Sequence, residues 1–130
     1  MGADVTMLAQ IGDSDPMAQK YLSWMREQGV CTDLIIEDPE KKQPTGMAFI
    51  YSYPDGNNSI VVNGGANTHF TEQSWLLFKD KWLAEVKSAD VVMMTRETPD
   101  WMMANIASAC NKNLVLDLGG SLEPVTESML

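Results

Sequence analysis

Residues 44–67 read Pro-Thr-Gly-Met-Ala-Phe-Ile-Tyr-Ser-Tyr-Pro-Asp-Gly-Asn-Asn-Ser-Ile-Val-Val-Asn-Gly-Gly-Ala-Asn. Two β-prone runs flank Pro54-Asp55-Gly56-Asn57-Asn58. Such a cluster favours a tight turn, because Pro fixes φ while Gly and Asn tolerate positive φ. The pattern predicts a β-hairpin. Its first strand puts Met47, Phe49, Tyr51 and Tyr53 on one face and Ala48, Ile50 and Ser52 on the other. A strand–helix–strand pattern lies on each side. A hairpin inserted into an α/β chain has to cover something, so this one reads as a lid.

The flanking segments set the fold class. Asp4 to Ile11 is a mostly apolar run suited to a buried parallel strand. Gly12-Asp13-Ser14 ends it and offers a helix N-cap, with Pro16 near the first turn. Ala18, Tyr21, Leu22 and Met25 fall at helical spacing on one face, and Gly29 is a helix stop. Asp33 to Asp38 is a second short strand, and Glu37 to Lys42 a solvated loop. After the hairpin, Thr71 caps a helix whose Trp75, Phe78, Trp82 and Val86 form a stripe, read as core packing. Ala89 to Met94 is another strand. Thr98-Pro99 opens a helix with Met103, Ile106, Ala107 and Cys110 on its buried side. Asn113 to Asp117 is the next strand, ended by Leu118-Gly119-Gly120, and the tail to Leu130 carries no clear pattern. This is an α/β pattern with a mostly parallel sheet.

Composition narrows the partners. An apolar share of 45% with four Trp in 130 residues fits one folded domain. The ten Met read as adaptable core filling. A net charge of −9 argues against nucleic acid and against anionic membrane surfaces, both of which need clustered Lys and Arg. It leaves room for a nucleotide held by backbone N–H groups at helix starts. Cys31 and Cys110 stand far apart and read as buried thiols of a reducing compartment. No apolar run is long enough for a membrane span, and the N-terminus shows no basic-then-apolar signal. The expected location is cytoplasmic.

In open α/β sheets, ligands bind beyond the carboxyl ends of the strands. Three such ends are visible: Gly12-Asp13, Thr95-Arg96-Glu97 and Asp117-Leu118-Gly119-Gly120. Glu97 follows an apolar strand and precedes a Pro-started helix. It can accept hydrogen bonds from sugar hydroxyls, or simply favour the helix start as a rim charge. Asp13 reads as a cap rather than a catalytic group, and Asn67 as a turn residue. His69, the only histidine, reads as incidental.

Thr45-Gly46 followed by an apolar strand, then Asp55-Gly56-Asn57, a second strand and Gly65-Ala66-Asn67 resembles the lid of the ribokinase-like sugar kinases, the PfkB family. The resemblance runs from Gly2 to about Gly120 and reaches well under half of such an enzyme. It implies a Rossmann-type α/β/α sandwich, incomplete here, with residues 1–130 a partial kinase domain and residues 44–66 its lid. It implies ATP-dependent phosphorylation of D-ribose at the 5-hydroxyl, with Mg2+ and with K+ as activator. It also places Glu97, Ala48 and Ile50 against the sugar, and implies a homodimer through the lid. Fructokinase and nucleoside kinase branches remain open. Two departures stand out: Met17 where the family has Gly, and Asp117 where many ribokinases have Asn-Pro.

The phosphoryl-transfer parts are missing from these residues. The family's Gly-Ala-Gly-Asp segment, which carries the catalytic Asp, does not occur, nor does its Asn-x-x-Glu motif associated with Mg2+ and phosphate. The N-terminal Gly-Gly sugar motif and a Walker-type loop are absent as well. The expectation is therefore an internal piece of a kinase, inactive alone. Against it stand a non-catalytic module that associates through the lid, and an unstable fragment whose uncovered sheet edges aggregate.

Overall fold

The structure, a computed structural model, describes residues 2–13 and 15–119. Ser14, Gly120 and the tail to Leu130, which enter the expectations above, lie outside the described residues. The chain divides into a first unit ending at His69 and a second beginning at Phe70.

In the first unit the run expected as one strand is two. Strand β1 (Val5–Thr6) and strand β2 (Ala9–Ile11) are separated by Met7 and Leu8. Their partners, both parallel, are β3 (Val30–Cys31) and β4 (Ile35–Glu37). The break has a simple cause. Thr6 pairs with Cys31 and Ala9 with Ile35, so Met7 and Leu8 face three residues, Thr32 to Leu34. The surplus residue is absorbed by a turn, in which the Ile35 N–H donates to the Thr32 carbonyl at 3.0 Å, and the ladder is interrupted as at a bulge.

Helix α1 (Pro16–Glu27) connects these pairs. Its N-cap is Asp15, whose carboxylate accepts from the Met17 N–H at 2.9 Å, with Pro16 in the first turn where a missing N–H costs nothing. Asp13 is not the cap; its carboxylate pairs with Lys41 at 3.4 Å. The buried stripe is Ala18, Leu22 and Met25, and Ala18 and Leu22 pack with Ile11 and Ile35. Tyr21 is exposed instead and stacks on Trp24 at a ring separation of 6.0 Å. One apolar stripe of three residues already fills the face turned to the short strands.

The hairpin forms as its sequence requires. Strand β5 (Met47–Ser52) runs antiparallel to β6 (Asn58–Asn63), with Ala48 opposite Val62 and Ile50 opposite Ile60. In the turn, the Gly56 N–H donates to the Tyr53 carbonyl at 3.0 Å and Asp55 accepts from the Asn57 N–H at 3.1 Å. A short 3-10 helix, Gly65–Thr68, follows.

In the second unit, helix α2 (Glu72–Ser88) begins with a reciprocal cap. The Ser74 N–H donates to Thr71 Oγ1, and the Thr71 N–H to Ser74 Oγ, both at 3.1 Å. Trp75, Phe78, Trp82 and Val86 are all buried, as their spacing predicts. Their rings pack edge-on or tilted with Phe70 and Trp101. Strand β7 (Val91–Thr95), helix α3 (Asp100–Ala109) and strand β8 (Asn113–Asp117) form a second strand–helix–strand with parallel pairing. On α3 the buried residues are Met102, Met103 and Ile106. Met102 joins the stripe, while Ala107 and Cys110 are only half-buried because the helix ends at Ala109. The expectation of two buried thiols is corrected: Cys31 is exposed and Cys110 half-buried. A two-residue strand and a helix end bury little of what they carry.

Candidate functional site

The hairpin is rooted in a polar clamp at the carboxyl end of β2. Asp15 works in two directions. One carboxylate oxygen starts α1, and the other accepts from the Thr45 N–H at 3.1 Å. Thr45 in turn accepts from the Gly12 N–H through Oγ1 at 3.0 Å. The Thr45 hydroxyl first, and then the Met17 N–H, hold the Asp15 carboxyl below its usual range.

The returning strand is tied to the same place. The Ala66 N–H donates to the Pro44 carbonyl at 2.8 Å, and Gln10 Nε2 donates to the Ala66 carbonyl at 3.0 Å. Backbone contact is so close that side chains are excluded. A Cβ on Gly12 would lie 2.5 Å from the Thr45 nitrogen, and one on Gly65, at φ +48°, would strike the Pro44 carbonyl oxygen. Gln10 is 1% exposed, and neither its Oε1 nor His69 Nδ1 has a hydrogen-bond partner among the described residues.

The segment leading into the hairpin has its own anchor. Asp38, expected in a solvated loop, is 1% exposed. Its carboxylate accepts from the N–H groups of Glu40, Lys42 and Gln43 at 3.0–3.1 Å. Its own N–H donates to the Ile11 carbonyl at 2.7 Å. Burial pushes the carboxyl up, and the three N–H donors, helped by the nearby His69, outweigh it, so its pKa lies below the usual value.

Two of the residues expected to touch a ligand, Ala48 and Ile50, share one face of β5 and are exposed. Ile60 and Val62 of β6 complete that face as an aliphatic surface. The opposite face carries Met47, Phe49, Tyr51 and Val61, equally open to solvent. Tyr53, just beyond β5, is also exposed, and its hydroxyl meets Ser59 Oγ at 3.0 Å.

The third, Glu97, belongs to the second unit. It lies in the turn between β7 and α3, exposed, next to the end of β8. That turn is held by the Arg96 N–H, which donates to the Asp117 carbonyl at 3.0 Å, and by Arg96 Nη2 against Asp100 at 3.6 Å. The Arg96 side chain is largely buried. Asp117 also accepts from the Gly119 N–H at 2.9 Å, closing the turn after β8. Thr95-Arg96-Glu97 and Asp117-Leu118-Gly119 thus come together at one strand edge, whereas the clamp and the hairpin belong to the first unit.

Three clamp residues carried weak signals in sequence. Gln10 interrupts an apolar run, the mark of a buried polar group with a purpose. Asp15 and Asp38 precede Pro, where Asp commonly turns the chain through its own side chain.

Comparison with known proteins gives this architecture its place. The model of the pfkB family carbohydrate kinases matches residues 1–127, and the chain belongs to that family. Over 92 residues it is 35% identical to the ribokinase of Arabidopsis thaliana, covering 68% of this chain and 23% of that protein. Over 99 residues it is 35% identical to the ribokinase of Staphylococcus aureus (strain COL), covering 76% of this chain and 30% of that protein. The structure of Arabidopsis thaliana ribokinase complexed with ribose and ATP matches 97% of this chain and 40% of its own, with a TM-score of 0.77 at 24% identity. The fold is the ribokinase-like α/β fold, present in part. The chain spans less than a third of the length of either curated relative.

Proposed function

We propose that this chain supplies the lid and one sugar-contacting rim of a kinase that phosphorylates D-ribose at its 5-hydroxyl with ATP. In this reading residues 1–130 are part of one kinase domain, acting in the cytoplasm, and residues 44–66 are its lid. The aliphatic face of Ala48, Ile50, Ile60 and Val62 closes over the sugar and excludes water. Glu97 accepts hydrogen bonds from sugar hydroxyls. The observation that carries the reading is the pairing register of the hairpin, which collects Ala48 and Ile50 on one apolar face above a fixed root.

Phosphoryl transfer needs a base for the acceptor hydroxyl and positive charge at the moving phosphate. Among the described residues no three His, Cys, Asp or Glu side chains gather into a metal site. In this reading the chain contributes sugar contacts and closure rather than the base or the nucleotide site. Fructose or a nucleoside is the alternative acceptor within the family.

The test is ATP-dependent ribose phosphorylation by the 130-residue chain with Mg2+ and K+, alongside ribose binding by calorimetry. No turnover is expected. Ribose binding lost on Glu97→Ala, with the fold intact, supports the sugar contact. Turnover would overturn the division of labour.

A second reading rests on the other hairpin face. Phe49, Tyr51 and Val61 are each more than half exposed, which makes an apolar strip suited to another copy of the hairpin. Sedimentation that shifts with concentration, and ceases to do so in Phe49→Lys, distinguishes this association from a monomeric lid.

A further inference from the structure

The clamp holds more bonds than a helix cap needs. Capping α1 takes one carboxylate oxygen of Asp15, the one facing the Met17 N–H. The second reaches Thr45, thirty positions along the chain. Thr45 closes the loop by accepting from Gly12, which lies between β2 and Asp15. The Pro44 carbonyl, the next group back, receives the Ala66 N–H from the far side of the hairpin. Both ends of the hairpin are therefore joined at residues 44–45, which the Asp15 carboxylate ties to the start of α1.

We propose that Asp15 is a positioning residue for the hairpin, coupling the first turn of α1 to the hairpin root so that the two move together. A hairpin fixed only by its own ladder would swing at residues 44–46 and 64–66. With Asp15 in place, displacing its root also breaks the α1 cap. The functional consequence, a lid whose stance is set from α1, rests on the reading above; the coupling itself does not, and it is tested without sugar.

The experiment is amide hydrogen exchange on the full chain. In Asp15→Asn the amide oxygen still caps the helix, but the amide NH2, a donor, replaces the oxygen that faces the Thr45 N–H, so that bond is lost. The Ala66 amide, which touches neither altered group, is expected to exchange about fivefold faster, the effect of losing one ordinary hydrogen bond. Amides in the middle of α1 are expected to stay as they were. Thr45→Val leaves the cap intact and carries the same readout where Asp15→Asn lowers overall stability. In the double variant the two effects are expected to fall short of additive, because the two bonds hold the same residue, Thr45, at the hairpin root. Unchanged exchange at Ala66 in both single variants, or strictly additive effects in the double variant, would overturn the coupling.

Discussion

Gly12 and Thr45 are joined twice. The Gly12 N–H donates to Thr45 Oγ1 at 3.0 Å, and the Gly12 Cα sits so close that a Cβ would come within 2.5 Å of the Thr45 nitrogen. The contact is between main chains, so no side-chain rotation relieves it. Gly12→Ala is expected to cost about 2 kcal/mol, in the range of overpacked sites. Urea denaturation should show a lowered midpoint, and a midpoint within error of the parent chain would contradict the close approach.

Asp38 makes stability depend on acid. Burial raises its carboxyl, but the N–H donors of Lys42, Glu40 and Gln43 together lower it by more, so the folded group titrates below the usual 3.8. The unfolded chain then binds the proton first. Stabilisation is complete above the ordinary carboxylate value and is lost as pH falls below it through the lower folded value. Asp38→Asn should flatten that part of the urea-midpoint profile. Asp38→Ala, which strands three N–H groups, should cost about 1–3 kcal/mol at neutral pH.

Thr71 and Ser74 cap each other at the start of α2. Thr71→Ala removes the side-chain acceptor for the Ser74 N–H, and a loss of about 1 kcal/mol is expected. Thermal melting followed by circular dichroism checks it. Thr71→Asp, which restores an acceptor and adds a favourable charge at the helix start, should recover most of the loss.

Trp82 is 2% exposed, and its ring centre lies 4.7 Å from that of Phe78. Trp82→Ala is expected to cost about 3–5 kcal/mol, because the cavity is walled by rigid rings that cannot close over it. Near-ultraviolet circular dichroism should lose its aromatic signal. A native-like spectrum would mean that the aromatic packing is not what holds the second unit.

What could be read from sequence was what neighbours in sequence decide. The turn at Pro54-Asp55-Gly56-Asn57, the stripe from Trp75 to Val86, the Thr71 cap and the bounds of β8 all depend on residues within a few positions of one another. What could not be read depends on distant partners. The cap expected at Asp13 lies at Asp15, because Lys41 takes the first carboxylate and Thr45 anchors the second. Asp38 sits among charged residues that suggest solvent, and only the return of residues 40–43 over it makes it buried. The division of Asp4 to Ile11 into two strands follows from one surplus residue on a partner more than twenty positions away. The hairpin itself was legible, as was the place of Glu97 in the turn after β7, because each follows directly from strand and turn chemistry.

The hairpin carries apolar side chains on both faces, all open to water, on a chain whose net charge is −9. These two properties oppose one another when copies meet: the ribbon invites contact, and like charge keeps the molecules apart. Salt weakens only the second, since the Debye length shortens to about 3 Å at 1 M. Colloidal behaviour should therefore run opposite to that of an assembly built on ion pairs. The isolated chain is expected to disperse best in dilute buffer, and light scattering should rise as sodium chloride is added.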